Sequence, residues 1–305
     1  MKNLLILCAI ILGAIQTAGA CNVCGCSASN QYLGILPQFS KQFVGLQYQY
    51  RNFESEHLGH SEGHGSKFSS EYYNTLQLWG RYNITDRIQI FAFIPYVKNQ
   101  KHEDGKILEI SGLGDISFLA NYQILKPNDS ARWKHSLQAG GGIKLPTGNF
   151  EKTVLQEIEG LPNMQTGTNS WDYLMNVNYT VKRQSFGIIL DASYTLTTPN
   201  SIGYKFGDRI STGLLAFYWI ENPSFIAIPQ LGVRYDHANE DYENFDKGWI
   251  SDMSGGHQLY LSSGLQLYKG SVGLQLSAHF PLDQEYAGGQ VTTKFKGEAG
   301  VFLLF

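Results

Sequence analysis

The sequence has few charged residues and no long apolar run after its first twenty residues. Only 16% of its 305 residues are Asp, Glu, Lys or Arg, and the formal net charge is −3. A membrane-spanning helix needs about 20 consecutive apolar residues, so we predict none in the rest of the chain. A nucleic-acid-binding domain would need a basic patch, so nucleic acid is not an expected partner.

Aromatic residues and glycine are abundant instead. The chain has 18 Tyr, 17 Phe and 33 Gly. This mixture is typical of a transmembrane β-barrel, which carries apolar residues toward lipid, small and polar residues inside, and aromatic residues at both membrane interfaces.

Residues 1–20 are predicted to be a secretory signal peptide. Lys2 supplies the positive start, 4–15 is the apolar region, and 18–20 is a small-residue cleavage site, Ala-Gly-Ala. Cys21 follows directly, as in a bacterial lipoprotein signal, although Ala18 stands where such signals usually carry Leu. Lipidation of Cys21 is therefore left open.

Period-two alternation predicts an all-β fold of about twelve antiparallel strands, which form a transmembrane barrel over 41–305. Val272, Leu274 and Leu276, for example, alternate with smaller or polar residues. The predicted strands lie near 41–54, 71–83, 87–99, 112–125, 132–146, 169–182, 185–197, 207–220, 224–237, 258–268, 271–281 and 295–305.

The predicted connections alternate between short and long. The long ones are 55–70, 100–111, 147–168, 198–206, 238–257 and 282–294. Bacterial outer-membrane barrels have short periplasmic turns and longer extracellular loops, so we predict an outer-membrane location with both termini in the periplasm. The last strand ends in an aromatic residue, Phe305, as is usual for substrates of the barrel-assembly machinery, which is an expected partner together with outer-membrane lipid.

Alternation also predicts which side chains face the lumen. The inward phenylalanines, such as Phe91 and Phe302, favour a constricted and partly apolar lumen. Asn176, Asn178, Gln230 and Gln275 belong to the polar inward set. The principal polar candidates are Gln47, Gln49, Arg81, Asp115, Asn121, Gln138, Lys144, Asp191, Arg234, His279 and Glu298.

Two clusters outside the strands have the composition of metal sites. Cys21, Cys24 and Cys26 form a C-x-x-C-x-C pattern that suits Cu or Zn, but lipidation of Cys21 or a disulfide would explain them equally well. The first long loop carries the second cluster, which consists of His57, His60 and His64. A solvated polar loop is the simpler explanation of these histidines, and no other cofactor is predicted.

An enzyme is not predicted. Ser277 and His279 share a face, as in an outer-membrane phospholipase, but that face is the inward one, whereas the phospholipase uses the outer wall. The G-x-S-x-G turn of the lipases is absent.

Two short runs resemble a known family. Gly112-Leu113-Gly114-Asp115-Ile116, with Asn121-Tyr122 after it, and Lys144-Leu145-Pro146-Thr147-Gly148 are similar to the outer-membrane transporter-like family named for the MetA pathway of phenol degradation. The resemblance implies a single barrel that passes small molecules across the outer membrane.

The sequence therefore predicts a monomeric channel or transporter for small solutes, apolar or metal-associated. Residues 21–40 would form a separate segment at the periplasmic mouth. The alternative is a barrel that conducts nothing and sequesters metal ions through its Cys and His clusters.

Overall fold

Twelve antiparallel strands close into one barrel. The computed structural model describes residues 41–57, 67–150, 162–243, 248–249 and 254–305. In chain order the strands are β1 (Phe43–His57), β2 (Lys67–Asn83), β3 (Ile88–Glu103), β4 (Lys106–Leu113 and Ser117–Leu125), β5 (Lys134–Lys144), β6 (Asp172–Arg183), β7 (Phe186–Leu196), β8 (Arg209–Tyr218), β9 (Ile226–Ala238), β10 (Gly256–Lys269), β11 (Val272–Tyr286) and β12 (Val291–Leu304).

The first and last strands close the barrel. β1 pairs with β12, and the pairing starts with Phe43 opposite Leu304. Gln42 and Phe305, the next residues toward the termini, exchange two backbone hydrogen bonds. Closure leaves no unpaired edge in this sheet. An unpaired edge would be costly in lipid, because its backbone N–H and C=O groups would have no hydrogen-bond partner. The prediction of an all-β, twelve-stranded barrel is confirmed. Within the part of the chain described, no helix is long and apolar enough to cross a membrane.

The outer face of the barrel is apolar and the inner face is largely polar. Along β11, Val272, Leu274 and Leu276 are exposed, whereas Gln275 between them is buried. A soluble protein of this size buries its apolar residues, so the reversed distribution is the one expected of a barrel in lipid. We call the end that carries Phe43 and Phe305 the termini end, and the opposite end the loop end.

Two connections predicted to be long are wrong. β3 continues to Glu103, Asp104 and Gly105 make a tight turn at positive φ, and β4 begins at Lys106. The predicted loop 282–294 is likewise shortened, because β11 extends to Tyr286 and β12 begins at Val291. Residues 98–103 of β3 are polar on both faces, and Asp283 and Glu285 of β11 are exposed, so the apolar outer face that marks these strands within the belt is lost there.

The remaining connections at the loop end are longer. Short strands at Tyr204–Lys205, Tyr242–Glu243 and Gly248–Trp249 form a small second sheet there. A single turn of 3-10 helix, Pro162–Met164, lies in the connection between β5 and β6.

Candidate functional site

The interior of the barrel holds the candidate site. Of the predicted lumen residues, Gln47, Gln49, Arg81, Asn121, Gln138, Lys144, Arg234 and His279 are buried within the barrel. The side chains of Asp115 and Asp191 are 6% and 14% exposed, and Glu298 accepts a hydrogen bond from Gln47. Seven of these residues fall into three separate groups of contacts, and Arg81, Asn121, Gln138 and His279 lie outside those groups.

The first group is a buried ion cluster at the loop end, formed by the two runs that carry the family resemblance. Nζ of Lys144 lies 2.8 Å from Oδ2 of Asp115 and 2.7 Å from Oδ2 of Asp172. Asp115 also accepts hydrogen bonds from the amides of Gly148 and Thr168, each at 2.9 Å. Gly148 and Thr168 lie on opposite arms of the β5–β6 connection, so one carboxylate ties both arms to β4.

Residues 162–168 of that connection reach the opposite side of the barrel mouth. Met164, which is almost completely buried, packs in one apolar cluster with residues of β1, β2, β9, β11 and β12. In a twelve-stranded barrel β11 and β12 stand opposite β5 and β6, where the connection begins and ends. The carbonyl oxygen of Met164 also accepts a hydrogen bond from Nδ2 of Asn99 on β3, at 3.0 Å. Residues 162–168 therefore form a plug across the loop end of the lumen.

The second group is a chain of alternating charges on β7, β8 and β9, which Lys296 of β12 joins from two strands beyond β10. Asp191 pairs with Arg234 at 2.8 Å, and Asp236 pairs with Lys296 at 3.2 Å. Ser211 links the two pairs, because its hydroxyl accepts from Arg234 and donates to Asp236. Both carboxylates of this chain of charges, Asp191 and Asp236, have a cationic partner, so it carries little net charge.

The third group is a row of glutamine side chains that runs from β10 to β2. Gln77 and Gln49 both donate to Oε1 of Gln47, at 3.2 and 3.3 Å, and Gln47 donates to Glu298 at 3.0 Å. Gln275 and Gln266 continue the row on β11 and β10. This wall offers amide donors and acceptors and, apart from Glu298, no charge.

An apolar cluster closes the termini end. Most of its members lie within a few residues of the strand ends, and they include Phe43, Trp79, Phe93 and Phe302. The rings of Phe43 and Trp79 are 4.6 Å apart, and those of Phe43 and Phe302 are 5.7 Å apart. Arg81 lies over the ring of Phe43 and donates to the carbonyl oxygen of Lys41. The lumen is thus narrow and aromatic at this end.

Glycines on neighbouring strands receive the larger rings. A Cβ at Gly273 would lie 2.0 Å from the ring of Phe302, and one at Gly187 would lie 2.2 Å from the ring of Phe217. The rings therefore lie against the barrel wall at positions where the neighbouring strand has no side chain.

His279 has a serine partner that the sequence analysis did not find. Its Nδ1 lies 2.8 Å from Oγ of Ser262, the residue directly opposite on β10, whereas Ser277 contacts Glu298 at 3.4 Å. Both pairs are inside the barrel. The register of β10 against β11 identifies Ser262, and the signal for that register is the tight turn at Gly270 and Ser271, because a two-residue turn fixes the pairing of its own strands.

Most of the predicted metal ligands lie outside the described residues. Cys21, Cys24, Cys26, His60 and His64 lie outside the described residues, and His57 is described only as the end of β1. Among the described side chains, no group of three or more His, Cys, Asp and Glu residues is placed to hold a metal ion. The proposed signal peptide, the lipidation of Cys21 and the separate segment 21–40 also stay predictions.

Comparison with solved structures supports the fold. The COG4313 outer membrane channel from Pseudomonas putida F1 is 15% identical, and the match covers 92% of this chain and 99% of that chain with a TM-score of 0.64. The transport unit of the autotransporter AIDA-I from Escherichia coli is 10% identical, with 91% and 94% covered and a TM-score of 0.52. At these identities the likeness extends to the fold alone. No family model and no curated protein matches the chain, so the resemblance to the MetA family stays a prediction.

Proposed function

We propose that this chain is an outer-membrane channel that passes small uncharged or weakly polar solutes through its interior. The observation that carries the proposal is the reversed distribution of polarity, with an exposed apolar belt outside and buried amides and paired charges inside. The interior of outer-membrane barrels is polar, either as a water-filled channel or around a plug. The amide-rich interior of this barrel favours a hydrated path.

The path is restricted at both ends in this conformation. Residues 162–168 cross the loop end, and the aromatic cluster around Phe43 and Phe302 narrows the termini end. The ion cluster of Lys144 with Asp115 and Asp172 holds the plug in place. We therefore expect brief openings that depend on the ion cluster, with no wide and permanent pore.

Conductance in a planar bilayer tests the proposal. We expect the refolded mature chain to give small, flickering currents, and Asp115→Asn to lengthen the open periods because it weakens the attachment of the plug. The same recording on a chain without residues 21–40 shows whether that segment restricts the periplasmic mouth. Silence from the wild type, from Asp115→Asn and from the truncated chain would overturn the channel proposal.

A further inference from the structure

A shallow apolar depression interrupts the lipid-facing wall between β6 and β10. Its volume is about 370 Å³. Ala192 and Thr212, which stand opposite each other on β7 and β8, form its floor. Larger side chains on its rim include Leu190 and Leu214, which are 47% and 46% exposed, so the depression opens toward lipid. A hydrocarbon chain lying in it would touch the floor and the rim together, and would gain more van der Waals contact than on a flat wall.

Two arginines without carboxylate partners lie at the termini end of the same wall. Arg183 shares the lipid-facing side of β6 with Tyr179, which lines the depression, because alternate residues of a strand point the same way. Arg132 is exposed just before β5. Among the described residues neither arginine pairs with a carboxylate, whereas the neighbouring Lys134 pairs with Asp129 at 2.6 Å. Positive charge is therefore left uncompensated at this edge of the wall.

Aromatic residues mark this edge as the level of the lipid headgroups. The guanidinium group of Arg183 lies 5.3 Å from the ring centre of Trp133, which is 48% exposed. The hydroxyl of Tyr179 lies 2.7 Å from Nδ1 of His135, between Arg183 and the depression. Rings with one apolar side and one polar tip are typical of the membrane interface. The stacking on Trp133 holds the guanidinium group at the wall, where a phosphate group can reach it.

The distance between the arginine and the depression matches one leaflet. From Arg183 to Val177, which lines the depression, β6 covers about 20 Å at about 3.3 Å per residue. Because the strands of such barrels tilt by about 40°, the depression lies about 15 Å deeper in the membrane than Arg183. That depth is about half of a hydrocarbon core of about 30 Å. A phospholipid with its phosphate group at Arg183 would therefore extend an acyl chain into the depression.

We propose that this part of the wall binds one anionic phospholipid from the leaflet at the termini end. Arg183 and Arg132 bind its phosphate group, and the depression over Ala192 and Thr212 holds one acyl chain. Guanidinium groups suit phosphate because they donate two parallel hydrogen bonds to it. A zwitterionic lipid is disfavoured, because its own ammonium group meets the uncompensated positive charge. The inference goes beyond the proposed function and does not depend on whether the lumen conducts.

Native mass spectrometry of the full mature chain in detergent tests the site, with phosphatidylglycerol and phosphatidylcholine of identical acyl chains as probes. We expect the first phosphatidylglycerol to bind more tightly than phosphatidylcholine, and Arg183→Gln to lose about tenfold in affinity for it, the effect of about one charge-assisted hydrogen bond. Lys126→Gln is the matched control, because Lys126 is also at the termini end but pairs with Asp86 at 3.6 Å. Arg183→Lys, which keeps the charge, should retain part of the affinity.

A second pair of variants tests the depression. Ala192→Leu fills its floor and should weaken the binding of both lipids severalfold. Ala120→Leu adds the same group at an exposed position on β4, outside the depression, and should change neither affinity. If Ala192→Leu fails to refold, Thr212→Leu fills the same floor.

Three results would overturn the proposal. The first is the same affinity for phosphatidylglycerol in Arg183→Gln and Lys126→Gln, and the second is equal effects of the two leucine variants. The third is glycerol phosphate, the headgroup without acyl chains, binding as tightly as the lipid, because the arginines would then take a free phosphate group and the depression would contribute nothing.

Discussion

Thr168 donates two hydrogen bonds to the same oxygen of Asp115, one from its amide and one from its hydroxyl, each 2.9 Å long. The other oxygen of Asp115 accepts the amide of Gly148. Thr168 and Gly148 lie on the two arms of the connection that carries Met164. The carboxylate of Asp115 therefore attaches both arms of the plug to β4.

Asp115→Asn should therefore release the plug without unfolding the barrel. The variant loses one of the two carboxylate charges that face Lys144 and one of the acceptor oxygens of the plug, while Asp172 still pairs with Lys144. The loss should therefore be smaller than the about 3–5 kcal/mol of a buried ion pair broken outright. We expect a severalfold rise in open probability in planar-bilayer recordings. Asp129→Asn is the control, because Asp129 pairs with Lys134 on the exposed surface at the termini end. Similar open probabilities in the two variants would show that Asp115 does not hold the plug.

Met164→Ala tests the far side of the same plug. Truncating a buried methionine typically costs about 2–5 kcal/mol, and here the loss should fall on the attachment of the plug to β11 and β12. We expect faster hydrogen exchange at residues 162–168 and more frequent openings. Met175→Ala, at an exposed position on β6, should change neither. Unchanged exchange in Met164→Ala would mean that the apolar cluster does not anchor the plug.

Two glycines of the lumen should respond differently to the same added methyl group. At Gly273 the methyl would collide with the ring of Phe302, whereas at Gly300 it would make ordinary contacts. Overpacking costs about 1–3 kcal/mol, so Gly273→Ala should lower the temperature at which the folded barrel unfolds on a heat-modifiability gel. Gly300→Ala should stay near the wild type. The reverse order would show that Phe302 does not lie against β11.

The small sheet at the loop end should loosen as the pH rises. Burial raises the pKa of Asp241 above the ordinary 3.8, although Tyr204 and the amide of Gly207 both donate to it. When folding raises the pKa of a carboxyl, that group stabilises the fold fully at pH values below its ordinary pKa. This contribution to stability is lost as the pH rises through the pKa of the folded state. Protection of the Gly207 amide, corrected for intrinsic exchange, should therefore fall with rising pH in the wild type and stay level in Asp241→Asn.

Asp208, in the same region, should show the opposite trend. Burial alone would raise its pKa, but hydrogen bonds from the amide and hydroxyl of Thr197, with a contribution from Lys205, lower the pKa below 3.8. The stability it supplies is present at neutral pH and is lost as the pH falls through that lowered value. If the protection of the Thr197 amide from hydrogen exchange fell with rising pH, this assignment would be wrong.

Several features of the fold could be read from the sequence because each depends on neighbouring residues alone. The alternation of Val272, Leu274 and Leu276 with Gln275 predicts which face of β11 meets lipid, since successive side chains of a strand point to opposite faces. The hairpin at Asp104 and Gly105 could not be read in this way. Residues 98–103 of its first strand are polar on both faces, so no alternation distinguishes them from a loop, although Leu108 and Ile110 of its second strand pack against the interior cluster.

The sequence by itself determined that the chain forms a barrel with an apolar outside and an amide-rich inside, because local alternation and closure in lipid allow few alternatives. Only the tertiary structure decided which residues meet inside. The crossing of the lumen by Met164 and the pairing of β1 with β12 depend on contacts between residues far apart in the chain. A shift of one residue in register would exchange the inner and outer faces. Tight turns such as that at Gly270 fix the register of their own hairpins, whereas the register of β1 against β12 is set only when the barrel closes.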